Sequence, residues 1–195
     1  MKVLTKPLKH ARVTVTALAL AGALAGSTVA YASSQTDAPV AHAQPAAKVP
    51  VGLSAEARAE YNGSSVARVA VQFYIDIQSG RFAPFTKLLA KNWVDTPLSA
   101  GQGPGAAGWQ SQIEYLHQAI PDLRISIDAI LVQGDTVSVR ETFSGHQDGS
   151  FLGVAPTGRL ITFRAADTHT ISHGRITDTW HLEDQFGAYQ QMTAG

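Results

Sequence analysis

The chain has 195 residues, with 15 basic and 15 acidic side chains, seven histidines, no cysteine and 45% hydrophobic residues. The lack of cysteine excludes a disulfide framework, thiolate catalysis and a lipidated cysteine. The balanced charge, with no basic patch, excludes the electrostatic footprint of a nucleic-acid or anionic-membrane surface.

Residues 1–32 read as a secretory signal. Lys2, Lys6, Lys9 and Arg12 precede an apolar stretch from Val13 to Leu24, and Ala30-Tyr31-Ala32 supplies small residues at the cleavage positions. That stretch falls short of the roughly 20 residues a membrane span needs. Cleavage after Ala32 is therefore expected, with export to a periplasm or the extracellular space and no membrane in the mature form. Four of the 15 basic residues lie in the signal and every acid lies beyond it, so the mature chain would hold 11 basic against 15 acidic residues, near −4. Residues 33–53, rich in Ala, Pro, Gln and Ser, read as a flexible tether. Residues 54–195, about 140 of them, suffice for one domain with a real core.

Within that domain, Val66, Val69, Ala70, Phe73 and Ile77 fall at helical spacing, with Asn62-Gly63 as an interruption and Ser64 or Ser65 as a cap. A second helix is predicted over Arg81–Ala90, then a short strand or bend at Trp93-Val94 and a Gly/Pro loop from Pro97 to Gly105. Gly108–Ile120 reads as a third helix, stopped by Pro121. Leu123–Val132 alternates apolar and polar residues, Gly134-Asp135 makes a hairpin, and the return strand puts Val137, Val139, Glu141 and Phe143 on one face. A Gly/Pro loop follows, then two more strands around a turn at Gly174, the last running to Asp184-Gln-Phe-Gly187. Helices first and four strands afterwards predict an α+β domain whose helices cover one side of a curved antiparallel sheet.

The strand Leu160–Ile171 carries the chemical signal. Period 2 puts Ile161, Phe163, Ala165, Asp167, His169 and Ile171 on one face. An acid and an imidazole on the more apolar face cost free energy unless paired, wet or functional. Burial would raise the Asp167 carboxylate from about 3.9 toward the range of a general base. The bland alternative is a carboxylate bonded to a neighbouring strand or helix end. His169, roughly 7 Å along the same strand, could shuttle a proton or donate to an enolate oxygen, or sit wet at a rim. Glu141 could form a second carboxylate with Asp167 or reach water, according to strand register. Tyr74, Trp93 and Trp180, with Phe73 and Trp109, could wall a cavity or be plain core. His169 and His173 straddle a turn, so no metal site is expected.

The run Ala119-Ile-Pro-Asp-Leu-Arg124, the hairpin at Gly134-Asp135, the loop Gly149-Ser-Phe-Leu-Gly-Val-Ala-Pro-Thr-Gly158, Asp167, Gly174-Arg-Ile176, Trp180 and Asp184-Gln-Phe-Gly187 together resemble the SnoaL-like polyketide cyclase (ester cyclase) family of the NTF2-like superfamily. The resemblance covers about residues 66–192. It implies a cone-shaped α+β barrel around a deep, mostly apolar pocket, in a homo-oligomer. It also implies one pocket aspartate, at the position of Asp167, acting without metal or organic cofactor as acid/base in an intramolecular aldol closure of a polyketide methyl ester. The chain departs from the family where Gln147, Thr96 and Thr179 replace common histidines, and where Glu141 and His169 replace aromatic or aliphatic residues.

Two functions from different classes follow. One is cofactor-free aldol-type cyclisation or isomerisation of a small apolar carbonyl compound, with Asp167 and His169 catalytic and Trp180, Gln147, Glu141, Tyr74 and Trp93 contacting substrate. The other is non-catalytic capture of a hydrophobic small molecule. Hydration or epoxide opening by paired acids is a third possibility for the same pocket.

Overall fold

A computed structural model describes residues 50–194, so the expected signal and most of the expected tether lie outside the described residues. The element order is β1 (Gly52–Leu53), α1 (Ala55–Gly63), α2 (Ser65–Ser79), α3 (Phe85–Leu88), β2 (Leu89–Thr96), α4 (Gly105–Ala119), β3 (Arg124–Gln133), β4 (Thr136–His146), β5 (Leu160–Ser172), β6 (Arg175–Glu183) and α5 (Gln185–Thr193).

The strands form one curved sheet in the order β1-β3-β4-β5-β6-β2. Its middle, β3 to β6, is the antiparallel meander that the alternation predicts. The sheet is mixed, however, because β1 pairs with β3 and β2 with β6 in parallel at the two edges. Gly52-Leu53, assigned to the tether by composition, is thus already part of the sheet, opposite Ser126 and Ile127.

The helices form where caps and apolar spacing agree. Ser64 ends α1 and caps α2, its hydroxyl accepting from the Ala67 N–H. Ala70, Phe73 and Ile77 then face the core, where each large side chain contributes about 1.5–3 kcal/mol by leaving water. The helix expected over 81–90 is only the single turn α3. Leu89, Trp93 and Asp95 turn inward from the extended strand β2 instead, so pairing with β6 overrides the local helical pattern. The C-terminus differs too: Asp184, read as the end of a strand, caps α5 through the Gly187 N–H.

Two turns decide where the site-bearing strands run. His173 (φ 50°) and Gly174 (φ 73°) reverse β5 into β6 through two left-handed residues. Gly149 lies so close to the end of α4 that a Cβ there would stand 2.1 Å from the Gln118 carbonyl oxygen, and its N–H bonds the Ala119 carbonyl at 3.0 Å. This contact pins the 147–158 loop to α4 and turns Phe151 and Leu152 toward the interior.

Candidate functional site

The inner face of the sheet, α2, α4 and the 147–158 loop enclose a cavity of about 480 Å³. Its apolar walls are aromatic. Phe143 and Phe163 stack at 5.1 Å, Phe151 tilts against Phe163, and Trp109 stacks on Phe73. Its polar wall comes from four strands: Glu141 on β4, Asp167 on β5, Thr179, His181 and Glu183 on β6, and Asp95 on β2. Among the described residues no Lys or Arg lines it.

Register explains this polar row. Asp167 stands directly opposite His181, and Glu141 opposite Ala165, so Glu141 and Asp167 are diagonal neighbours on one face across the small Ala165. Glu141 is 1% exposed, and no protein donor faces either of its carboxyl oxygens. Its polar neighbour is the Asp167 carboxyl, and a hydrogen bond between two acids needs a proton on one of them. Burial, and then the charge of Asp167, push Glu141 far above the carboxylate range. Burial also raises Asp167, but bonds from Tyr74 and Glu141 and the charge of His181 hold it well below Glu141. The pair therefore holds one proton, and the geometry, with the Tyr74 hydroxyl donating to Asp167 and no donor among the described residues on Glu141, favours that proton on Glu141 and the charge on Asp167.

Behind Asp167 lies a file of buried side chains. The Tyr74 hydroxyl donates to Asp167 Oδ2 at 2.9 Å and meets His169 Nε2 at 3.0 Å. His169 Nδ1 is 3.0 Å from Thr179 Oγ1, which also accepts the Trp93 indole N–H at 3.0 Å. Burial and the charge of His181 depress His169 to about 3, so it is neutral. Burial first, then the charge of Asp167, keep Tyr74 protonated.

His181 is the site's cation. Burial opposes its charge, but the ion pair with Asp95 and the hydrogen bond to Glu183 prevail and raise it to about 10. Its Nδ1 is 2.7 Å from Glu183 Oε1 and its Nε2 3.2 Å from Asp95 Oδ1, while Gln102 donates to the other Asp95 oxygen at 2.6 Å.

Of the residues singled out from the sequence, Asp167 and Glu141 line the cavity together. Tyr74, Trp93 and His169 stand behind its wall, with His169 Nε2 4.0 Å from Asp167 Oδ2 rather than a full strand step away. Gln147 does not reach the cavity. It is buried in its own loop, donating to the Gly149 and Ala155 carbonyls and accepting from the Thr157 N–H and hydroxyl. Trp180 is 47% exposed on the outer face, beside Leu182.

The same parity accounts for His181 and Glu183, which sequence reasoning missed along with Asp95 on β2. Taking Trp180 as inward puts His181 and Glu183 outward. A register shift between Thr170 and Ile171 turns Thr179, His181 and Glu183 inward instead. The available signal was three polar residues at period 2 on the strand paired with Asp167.

Residues 68–192 match the family model for SnoaL-like polyketide cyclase, and the chain belongs to that family. Among solved structures it is similar to TsrD from Streptomyces laurentii, at 25% identity and a TM-score of 0.61 over 67% of this chain and 96% of that one. It is also similar to IdmH from Streptomyces antibioticus, at 25% identity and a TM-score of 0.59 over 66% and 98%. A candidate polyketide cyclase from Bacillus cereus ATCC 10987 aligns at 24% identity, with a TM-score of 0.60, over 74% and 91%. No curated protein matches the chain.

Proposed function

We infer that this SnoaL-like chain catalyses cofactor-free proton abstraction next to a carbonyl, leading to aldol-type ring closure or isomerisation of a small, largely apolar compound. The observation that carries this reading is the Glu141–Asp167 pair, two carboxyls of unequal acidity at the polar end of an aromatic cavity. Asp167 takes the proton from the carbon, and protonated Glu141 donates a hydrogen bond to the carbonyl oxygen as negative charge grows there. The enolate carbon then attacks a second carbonyl of the same molecule. As that C–C bond forms, the first carbonyl is restored and the new alkoxide takes the proton from Asp167. The acid and base end as they began, and the reaction is a net isomerisation.

The test uses a panel of β-dicarbonyl esters in D₂O, with deuterium exchange at the activated carbon read by NMR separately from ring closure. Wild type is expected to exchange, and Asp167→Asn to lose at least about 100-fold. Exchange untouched by the substitution removes Asp167 from the chemistry. Saturable binding without exchange supports the alternative, a capture module built on the same aromatic walls. The basic and apolar N-terminus supports export of this activity, which N-terminal sequencing of the secreted chain tests by a start at Ser33.

A further inference from the structure

We propose that Trp93, Thr179, His169 and Tyr74 form a one-way file of hydrogen bonds that commits the Tyr74 proton to Asp167 and so keeps the negative charge of the carboxyl pair on Asp167 rather than Glu141. All four are at most 4% exposed, and their polar side-chain atoms contact one another in sequence, ending on Asp167.

The direction is set at the end farthest from the cavity. An indole N–H only donates, so at the 3.0 Å contact Thr179 Oγ1 accepts from Trp93. The hydroxyl proton of Thr179 is then available to His169 Nδ1, its protein acceptor at 3.0 Å among the described residues. With Nδ1 accepting, the proton of the neutral ring is on Nε2 and is donated to the Tyr74 oxygen at 3.0 Å. The Tyr74 proton is thereby left for Asp167 Oδ2, at 2.9 Å. A donor aimed at Asp167 favours its ionised form.

The opposite direction is possible only with a proton on Asp167. Asp167 would donate to Tyr74, Tyr74 to Nε2, and Nδ1 to Thr179. Thr179 would then face two donors while its own proton had no acceptor within the file. Trp93 therefore acts as a stop at one end of the file, and Asp167 takes its bias from the other. The groups facing Asp167 are Tyr74 on α2, Glu141 on β4, His169 on β5, and His181 and Glu183 on β6, with Asp95 on β2 beyond His181. Among them Tyr74 is the donor that the file controls. His169 accordingly positions Tyr74 and does not shuttle a proton.

This assignment rests on the proposed function only where it bears on rate, and its test reads protonation directly. In wild type, ¹⁵N NMR of the His169 ring is expected to show a protonated Nε2 and a bare Nδ1 at neutral pH. The Asp167 carboxyl, followed by ¹³C NMR, is expected to titrate about one pH unit higher in Tyr74→Phe and in Trp93→Phe. His169→Gln, whose amide N–H₂ can stand in for the Nε2 donor, is expected to keep the wild-type Asp167 titration. A protonated Nδ1 or a doubly protonated ring in wild type overturns the file. So does an Asp167 titration that Tyr74→Phe leaves unmoved in a folded protein. Carboxyl titrations that follow the file without any carbon-acid exchange keep the file and sink only the proposed chemistry.

Discussion

The carboxyl of Glu141 lies diagonal to that of Asp167 across β4 and β5, opposite the small Ala165, and no donor among the described residues faces Glu141. Two acids so placed in an apolar cavity share a single negative charge at neutral pH, because burial and mutual repulsion oppose a second ionisation.

Stability should carry the mark of that proton. In the folded state Glu141 is raised from 4.5 to about 11, so its neutral form is favoured by folding. Its contribution is fully present below its unfolded pKa and is lost progressively as pH rises toward the folded value. Glu141→Gln removes this penalty. It is expected to stabilise the protein by about 1–3 kcal/mol near neutral pH and by much less in mild acid. Chemical denaturation at the two pH values checks this, and an equal effect at both would contradict a buried proton on Glu141.

Activity should have an acid limb. Asp167 must be ionised to take a proton, and burial raises it to about 6 against the opposing bonds and charge described above. Carbon-acid exchange is expected to increase with pH through that value and level off above it. A rate that falls across the same window would mean that the protonated form of Asp167 is the working one.

His181 holds two acids apart. Its folded pKa of about 10 exceeds the ordinary histidine value of 6.5, so the stability it contributes is full below about 6.5 and declines as pH rises through about 10. His181→Leu leaves Asp95 and Glu183 without their shared cation and is expected to cost about 3 kcal/mol at neutral pH, with a smaller loss in alkali. It should also raise the Asp167 titration, since the charge of His181 now lowers it. Thermal melts across that range and the ¹³C titration are independent readings of one cation.

Charge should also select the ligand. Asp95, Glu141, Asp167 and Glu183 line the cavity and, among the described residues, no Lys or Arg does. A methyl ester is expected to bind at least about tenfold more tightly than its free carboxylate, because a second anion beside Asp167 is repelled in a low-dielectric wall. Calorimetric titration of the matched pair decides it, and equal affinities would place the ligand away from the acids.

Gln147 should matter for the loop rather than for chemistry. Its amide satisfies backbone groups at Gly149, Ala155 and Thr157, and its own N–H and carbonyl tie the loop to residues 157–159. Gln147→Ala strands several buried partners and is expected to cost about 2–3 kcal/mol, with faster proteolytic cleavage between 148 and 158. Limited proteolysis alongside a melt would reveal an unchanged loop if the clamp were unimportant.

The sequence alone determined the family, the antiparallel meander and the inward face of β5, since period-2 alternation and turn residues are local properties that a linear reading contains. Asp167 and His169 were legible as buried polar groups for that reason. The face of β6 was not, because the shift between Thr170 and Ile171 reverses the parity that Trp180 suggests, which hid His181 and Glu183. Asp95 was hidden because Trp93-Val94 read only as a short strand or bend, and the pairing of β2 with β6 that turns Asp95 inward is a long-range contact. The meeting of Glu141 with Asp167 and the file from Trp93 to Tyr74 join side chains from four strands and a helix. Which acid holds the proton follows from burial, charge and hydrogen-bond direction in three dimensions, and those exist only once the chain has closed around the cavity.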